Sequence, residues 1–79
     1  MKTYNVKYNG NSARLSSLSE TVSASSEREA VIKVYASTMD YNYFPQEDGT
    51  VQDLDGEVIC NLSDESIWFD GGYFYAEEV

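Results

Sequence analysis

The clearest structural signal in the sequence is the start of a helix. Ser26 is followed three residues later by Glu29, which is the capping-box pattern, and an apolar-periodic run begins directly after it. Glu29 and Lys33 also form a favourable i,i+4 pair. The pattern predicts a helix over residues 26–39, with an apolar stripe made of Val31, Val34, Tyr35 and Thr38 and with Met39 at its edge.

The N-terminal segment has the two-residue period of a strand. Residues 2–8 place Tyr4, Val6 and Tyr8 on one face, as in a half-buried strand. Asn9-Gly10 follows, and this dipeptide favours a tight hairpin. We therefore expect a return strand that begins with Ala13 and Leu15, changes phase at a bulge or bend, and resumes with Leu18, Val22 and Ala24.

Two further hairpins are expected after a loop at residues 41–49. The first joins residues 50–54 to 57–62 around Asp55-Gly56, and a loop extended through Glu57 would pair Leu54 with Val58. The second joins residues 66–69 to 73–77 around Gly71-Gly72. Its apolar face would pair Phe69 with Phe74 and Ile67 with Ala76, and its other face Trp68 with Tyr75 and Asp70 with Tyr73.

These segments predict an α+β fold, an antiparallel sheet of about four to six short strands with one helix packed on it. Its 79 residues allow a single domain, residues 1–79. Hydrophobic residues make up 42% of the chain, and seven of its residues are tyrosine. That content is enough for a core, so we expect a folded domain despite the high charge.

The charge is distributed very unevenly. All five basic residues lie in the first 33 positions beside three acids, so that segment has a net charge of +2. From Val34 onward there are eleven acids and no base. A domain that needs charge only for solubility would normally mix both signs, because mixing reduces self-repulsion. Solubility can explain each carboxylate taken singly, but it explains the whole set poorly.

Catalysis and metal binding are poorly supported. The chain has no histidine, which excludes histidine-based triads and histidine metal ligands. Nearby acids would raise the pKa of Cys60, so we expect a buried structural cysteine. Asp53 and Asp55 could act as paired carboxylates only in a deep cleft. Aligning Gly56 with the glycine of an EF-hand leaves non-acidic residues at both end positions, so we expect an ordinary turn and no cofactor or metal.

Nucleic acids and membranes are unsuitable partners, because phosphates bind lysine and arginine and the second half has neither. The single cysteine fits a reducing compartment, and the chain has no apolar signal-peptide core and no apolar run of the roughly 20 residues that cross a bilayer. We therefore expect a cytoplasmic protein.

The acidic half predicts a surface for a basic protein. A chain of this length is about 30 Å wide. Duplex DNA shows roughly nine phosphates on one face over about 30 Å, close to the number of carboxylates from Asp40 onward. Tyrosine and tryptophan among them would add affinity. The candidate partner-binding residues are Asp40, Tyr41, Tyr43, Glu47, Asp48, Asp53, Asp55, Glu57, Asp64, Glu65, Trp68, Asp70, Tyr73, Tyr75 and Glu77.

The layout resembles a class of phage-borne inhibitors. A strand near the N-terminus, a short strand ending in Thr21-Val22-Ser23-Ala24, a helix opening with Ser26-Glu27-Arg28-Glu29-Ala30 and further strands are similar to small DNA-mimicking anti-CRISPR and antirestriction proteins. The resemblance rests on layout and composition and transfers no functional residue. It implies a non-enzymatic inhibitor in the bacterial host cytoplasm that occupies the nucleic-acid-binding surface of a defence complex, such as a CRISPR–Cas effector.

An alternative is an ordinary protein–protein interaction module or accessory subunit. Such a protein would be a monomer, or a homodimer joined through edge strands or through the outer face of the last hairpin. The two hypotheses differ in their response to salt, because only the acidic-surface hypothesis predicts salt-sensitive association.

Overall fold

The computed structural model describes residues 1–63 and 67–79, and these residues form an α+β fold. The predicted fold class is confirmed. The described strands outnumber the expected four to six, however, and they form two antiparallel sheets instead of one. The elements are β1 (Lys2–Asn9), β2 (Ser19–Ala24), α1 (Glu27–Thr38), β3 (Phe44–Pro45), β4 (Thr50–Gln52), β5 (Val58–Asn61), β6 (Ile67–Phe69) and β7 (Gly72–Glu78).

The larger sheet has the strand order β2-β1-β7-β6, so strands from the two ends of the chain lie side by side at its centre. The predicted alternation of β1 is confirmed, because Tyr4, Val6 and Tyr8 are buried. On the same face, Ala76 lies opposite Val6 and Phe74 lies opposite Tyr8. Helix α1 packs against this face, and the other face of the sheet is open to solvent.

Helix α1 begins and ends where the sequence predicts. The Ser26 hydroxyl accepts a hydrogen bond from the Glu29 N–H (3.1 Å), as an N-cap should. The Glu29 carboxylate reaches one residue further back than in a standard capping box, accepting from the Ser25 hydroxyl (2.7 Å) and the Ser25 N–H (3.2 Å). Of the predicted stripe, Val31 and Val34 are buried and Tyr35 and Thr38 are half-buried. The helix also buries Ala30, Ile32 and Ala36, so the core covers a wider arc of it.

The expected tight turn at Asn9-Gly10 is wrong, although β2 pairs antiparallel with β1 as the expected return strand should. Strand β1 ends at Asn9 and β2 begins only at Ser19, so residues 10–18 form a longer connection from which Leu15 enters the core. Gly10 is needed for close packing instead. A Cβ atom at Gly10 would overlap the Cα of Gly72 and the hydroxyl of Tyr8.

The last hairpin exists, but its turn is Asp70-Gly71 and not Gly71-Gly72. Both turn residues have positive φ, 52° and 77°, which a type I′ turn requires and which aspartate tolerates better than most residues. The predicted pairing is therefore wrong by two residues. A two-residue shift leaves every side chain on its expected face, and the observed pairs are Ile67 with Phe74, Trp68 with Tyr73 and Phe69 with Gly72.

The small sheet has the strand order β3-β4-β5. The sequence predicted its β4–β5 hairpin but not β3. Strand β3 lies inside the segment that was predicted to be a loop. Between β4 and β5 the register shifts at a bulge, and Val51 and Cys60 face the core that Ile32 also enters. The predicted pairing of Leu54 with Val58 is wrong, because the Asp53 N–H donates to the Glu57 carbonyl (2.8 Å) and closes a connection that places Leu54 at its exposed tip.

Candidate partner-binding surfaces

Few cations of the chain neutralise the acidic half. The ion pairs between described residues are Lys2–Glu78 (3.4 Å) and Lys33–Glu29 (3.2 Å), and only the first involves a carboxylate after Val34. Within the described residues, the following carboxylates of that half have no ion pair: Asp40, Glu47, Asp48, Asp53, Asp55, Glu57, Asp70 and Glu77.

The two arginines bind main-chain oxygens instead of carboxylates. The Arg14 guanidinium donates to the Thr38 carbonyl (3.1 Å) near the C-terminal end of α1, where a cation is favourable. The Arg28 guanidinium donates to the Leu62 carbonyl (3.3 Å). Both cations stabilise contacts between elements, and neither forms an ion pair with a carboxylate among the described residues.

One group of carboxylates lies at one end of the small sheet, in the turn between β4 and β5. Asp53, Asp55 and Glu57 all belong to this turn. The Asp53 carboxylate accepts a hydrogen bond from the Asn42 N–H (2.7 Å), which ties the turn to the segment that leaves α1. Asp40 lies in that segment with a φ of 62°. The fold therefore places the turn that carries three carboxylates beside the segment that carries Asp40, which precedes Glu57 by 17 positions.

Glu47 and Asp48 lie at the opposite end of the same sheet, in the β3–β4 turn, because successive turns of an antiparallel sheet alternate between its ends. The turn is closed by a hydrogen bond from the Gly49 N–H to the Gln46 carbonyl (3.1 Å). Hydrogen bonds from the Thr50 hydroxyl (2.7 Å) and N–H (3.0 Å) lower the pKa of the Asp48 carboxyl. These hydrogen bonds also hold the Asp48 side chain against the start of β4.

Between these two ends, the outer face of the small sheet carries exposed apolar side chains around the polar Gln52. Phe44 lies opposite Gln52 on the neighbouring strand, and Gln52 lies opposite Val58, so the three side chains form one row across the sheet. Phe44 is 45% exposed and Val58 55% exposed, and Leu54 at the adjacent turn is 75% exposed. The sequence did not identify these three apolar residues, because two-residue alternation from the inward-facing Cys60 would have placed Val58 on the same inward face.

Tyr43 and Tyr41 have different environments. Tyr43 packs against the core, its ring lies 5.9 Å from the Lys33 ammonium, and burial is the main cause that raises the pKa of its hydroxyl. Tyr41 is exposed, and its ring centroid lies 6.2 Å from that of Tyr35. Of these two tyrosines, only Tyr41 is therefore well placed to contact a partner that binds near Asp40 and the β4–β5 turn.

The remaining predicted aromatic residues lie on the open face of the larger sheet. Trp68, Tyr73 and Tyr75 form a row there with ring centroids 5.3 and 6.1 Å apart. Trp68 is 65% exposed. The Asn9 amide donates to the Tyr73 hydroxyl (3.2 Å). The predicted site residues are thus divided between two sheets.

Charges balance more closely around this aromatic row than around the small sheet. On the open face, Lys7 lies opposite Tyr75 and Glu77 lies opposite Asn5, while Asp70 occupies the tight turn at the edge. Asp64 and Glu65, the remaining predicted site residues, lie outside the described residues.

Comparison of the chain with protein-family models, with curated proteins and with solved structures finds no match. In the described part of the chain, no helix combines the length and the apolar character that crossing a bilayer requires.

Proposed function

We propose that this protein is a non-enzymatic inhibitor whose acidic half binds a basic protein surface that otherwise holds nucleic acid, in a bacterial defence complex such as a CRISPR–Cas effector. The observation that carries the proposal is the lack of internal neutralisation. Among the described carboxylates after Val34, only Glu78 lies in an ion pair.

The size of the molecule supports nucleic-acid mimicry. Its longest dimension is 32 Å, over which duplex DNA carries about 19 phosphates and shows roughly half of them on one face. The second half of the chain has eleven carboxylates. The total is comparable with the number of phosphates on one face of such a duplex, and the five carboxylates at the two ends of the small sheet are the ones that a single cationic groove would contact. Long-range attraction of this kind accelerates association and weakens as salt is added.

Each single contact in such an interface is weak. An exposed carboxylate paired with lysine or arginine contributes about 0.2–1 kcal/mol. The affinity must then come from many carboxylates acting together. Neutralising two of them removes about 0.4–2 kcal/mol, and the middle of that range corresponds to binding that is about fivefold to tenfold weaker but not abolished.

The experiment is competition with nucleic acid. Purified CRISPR–Cas effectors are loaded with fluorescent duplex DNA, and displacement of the DNA by the protein is followed by anisotropy. The test variant is Asp55→Asn with Glu57→Gln. The amide oxygen introduced at position 55 can still accept the hydrogen bond from the Glu57 N–H that the Asp55 carboxylate accepts at 3.2 Å. The matched control is Glu20→Gln with Glu27→Gln, which gives the same net charge from the first half of the chain.

We expect the native protein and the control to displace the DNA at similar concentrations and the test variant to need about fivefold to tenfold more. Displacement should disappear at about 500 mM NaCl. Equal potency of the test and control variants would show that total charge, and not this acidic surface, is what matters.

The alternative is an ordinary interaction module, either monomeric or homodimeric, and the exposed Trp68 favours it. Tryptophan is enriched at interaction hot spots, and Trp68 lies beside two tyrosines on an open face. Light scattering at increasing protein concentration tests for a homodimer. A rising mass that Trp68→Ala abolishes and that salt leaves unchanged would support this alternative.

A further inference from the structure

We infer that the outer face of the small sheet is the contact surface, and that it fits a basic protein surface in which arginine and lysine side chains surround an apolar or aromatic side chain. This inference rests on the proposed function and adds to it the location of the interface and the chemistry of the partner.

The first argument is the centre of this face, where exposed apolar side chains surround the polar Gln52. Phe44 and Val58 lie on either side of Gln52, and Leu54 lies at the turn next to them. None of the three apolar side chains belongs to the core or packs against it. The fold does not require them, and exposed apolar groups with a polar rim are characteristic of protein-binding sites.

The second argument is the charge around that centre. Asp53, Asp55 and Glu57 lie at one end of the sheet, and Glu47 and Asp48 lie at the other. No ion pair within the described residues engages any of these five carboxylates. Partners usually present charge of the opposite sign, so the matching surface has a basic rim.

The same charges exclude two other occupants. A second copy of the chain docked through this face would place carboxylates against carboxylates, which is unfavourable. Nucleic acid would bring phosphates against the same groups. A basic protein is the remaining occupant that satisfies both the apolar centre and the acidic rim.

The contact uses the face of the sheet and not its β3 edge. Pro45 occupies that edge strand and has no N–H to donate, so a partner strand would lose one of its hydrogen bonds there. The strand is also only two residues long. At the β3 edge, side chains therefore have to supply the recognition.

Two short peptides test this inference directly. In the first, a tryptophan is flanked on each side by arginines, and in the second a glycine replaces the tryptophan. Both carry the same charge, so any difference in affinity reports the apolar contact. Binding to the native protein is measured by titration at about 50 mM NaCl, and amide chemical shifts in the protein locate the contact.

We expect the tryptophan peptide to bind about tenfold more tightly and to shift the amides of Phe44, Gln52 and Val58. The combined variant Phe44→Ala, Leu54→Ser and Val58→Thr should remove this difference and retain its affinity for the glycine peptide. Leu54→Ser alone, which changes only a turn tip, should reduce the difference in part and serves if the triple variant unfolds. The control Trp68→Ala should leave the difference unchanged.

The outcomes distinguish this inference from the proposed function. Equal affinity for the two peptides, or shifts confined to Trp68, Tyr73 and Tyr75, would overturn the inference and leave charge attraction to a basic partner intact. If neither peptide binds, charge attraction itself is missing, and the inference and the proposed function are both overturned.

Discussion

Gly72 shows how one residue position can be set by a distant contact. A Cβ atom there would overlap the Cα of Gly10, the hydroxyl of Tyr8 and the carbonyl oxygen of Asn9. Two of these three atoms belong to the main chain, which cannot move aside without a large cost in free energy. We expect Gly72→Ala to lower the free energy of unfolding by about 2–3 kcal/mol, measured by urea denaturation.

Gly56→Ala is the matched control for this prediction. Gly56 has a positive φ of 87°, and a Cβ atom added there would have no neighbouring atom within 4 Å, so only backbone strain is expected. That strain costs about 1 kcal/mol. If the two variants lose the same stability, the close approach of Gly72 to Gly10 is not what constrains the position.

Glu29 links one side chain to the pH dependence of stability. Hydrogen bonding from the Ser25 hydroxyl, followed by the contact with Lys33, lowers the pKa of its carboxyl, against the opposing effect of burial. A folded-state pKa below the unfolded value of about 4.3 stabilises the protein above that pH, and this stability is lost as the pH falls through the folded-state pKa.

The expected result is a stability difference between the native protein and Glu29→Gln that is present at about pH 7 and shrinks towards about pH 3. Thermal unfolding at several pH values measures it. Glu20→Gln is the control, since the Glu20 side chain has no hydrogen bond or ion pair within the described structure. A difference for Glu29→Gln that stays constant with pH would contradict the assignment.

At the scale of elements, helix α1 depends on its N-cap. Ser26→Ala removes the acceptor of the Glu29 N–H, and we expect a loss of about 1 kcal/mol in the free energy of unfolding. Ser17→Ala, an exposed substitution in the β1–β2 connection, is the control and should change stability by less than about 0.5 kcal/mol. Urea denaturation of both variants makes the comparison, and equal losses would argue against an N-cap at Ser26.

The helix and strand β1 could be predicted because their signals are local. The capping residues lie within one turn of α1, and the alternation of Tyr4, Val6 and Tyr8 lies within one strand. The predicted tight turn at Asn9-Gly10 is wrong because the contact that determines Gly10 is not local. Gly10 is fixed by Gly72, a residue 62 positions away, and no short segment of sequence contains that contact.

The sequence could predict which kinds of residue form the candidate site, but it could not predict where the fold places them. The excess of carboxylates after Val34 is visible in the sequence, and so are the exposed aromatic residues. The division of these residues between two sheets is not visible, because it depends on tertiary packing. Val58 was missed since the bulge between β4 and β5 decides which side chains of β5 face outward. Phe44 was missed because it fell in a predicted loop, and Leu54 because it was predicted to pair with Val58.

At the scale of the whole molecule, uncompensated charge should reduce stability. The net charge is −9, and the described structure contains only two ion pairs. Screening by salt relieves repulsion between the carboxylates. We expect the melting temperature to rise by roughly 4 °C between about 20 and 200 mM NaCl, which corresponds to roughly 1 kcal/mol.

The same measurement on Asp55→Asn with Glu57→Gln should show a smaller rise, because the variant has less repulsion to relieve. A melting temperature that falls as NaCl is added would mean that attractive ion pairs dominate the molecule. That result would contradict the charge distribution on which the proposed interface depends.

The most direct test of the central claim is the salt dependence of affinity for an effector from which the protein displaces DNA. We predict that the dissociation constant of the native protein rises steeply between about 50 and 500 mM NaCl, and that the rise is less steep for Asp55→Asn with Glu57→Gln than for Glu20→Gln with Glu27→Gln. A dissociation constant that stays the same across this range would contradict recognition through the acidic half.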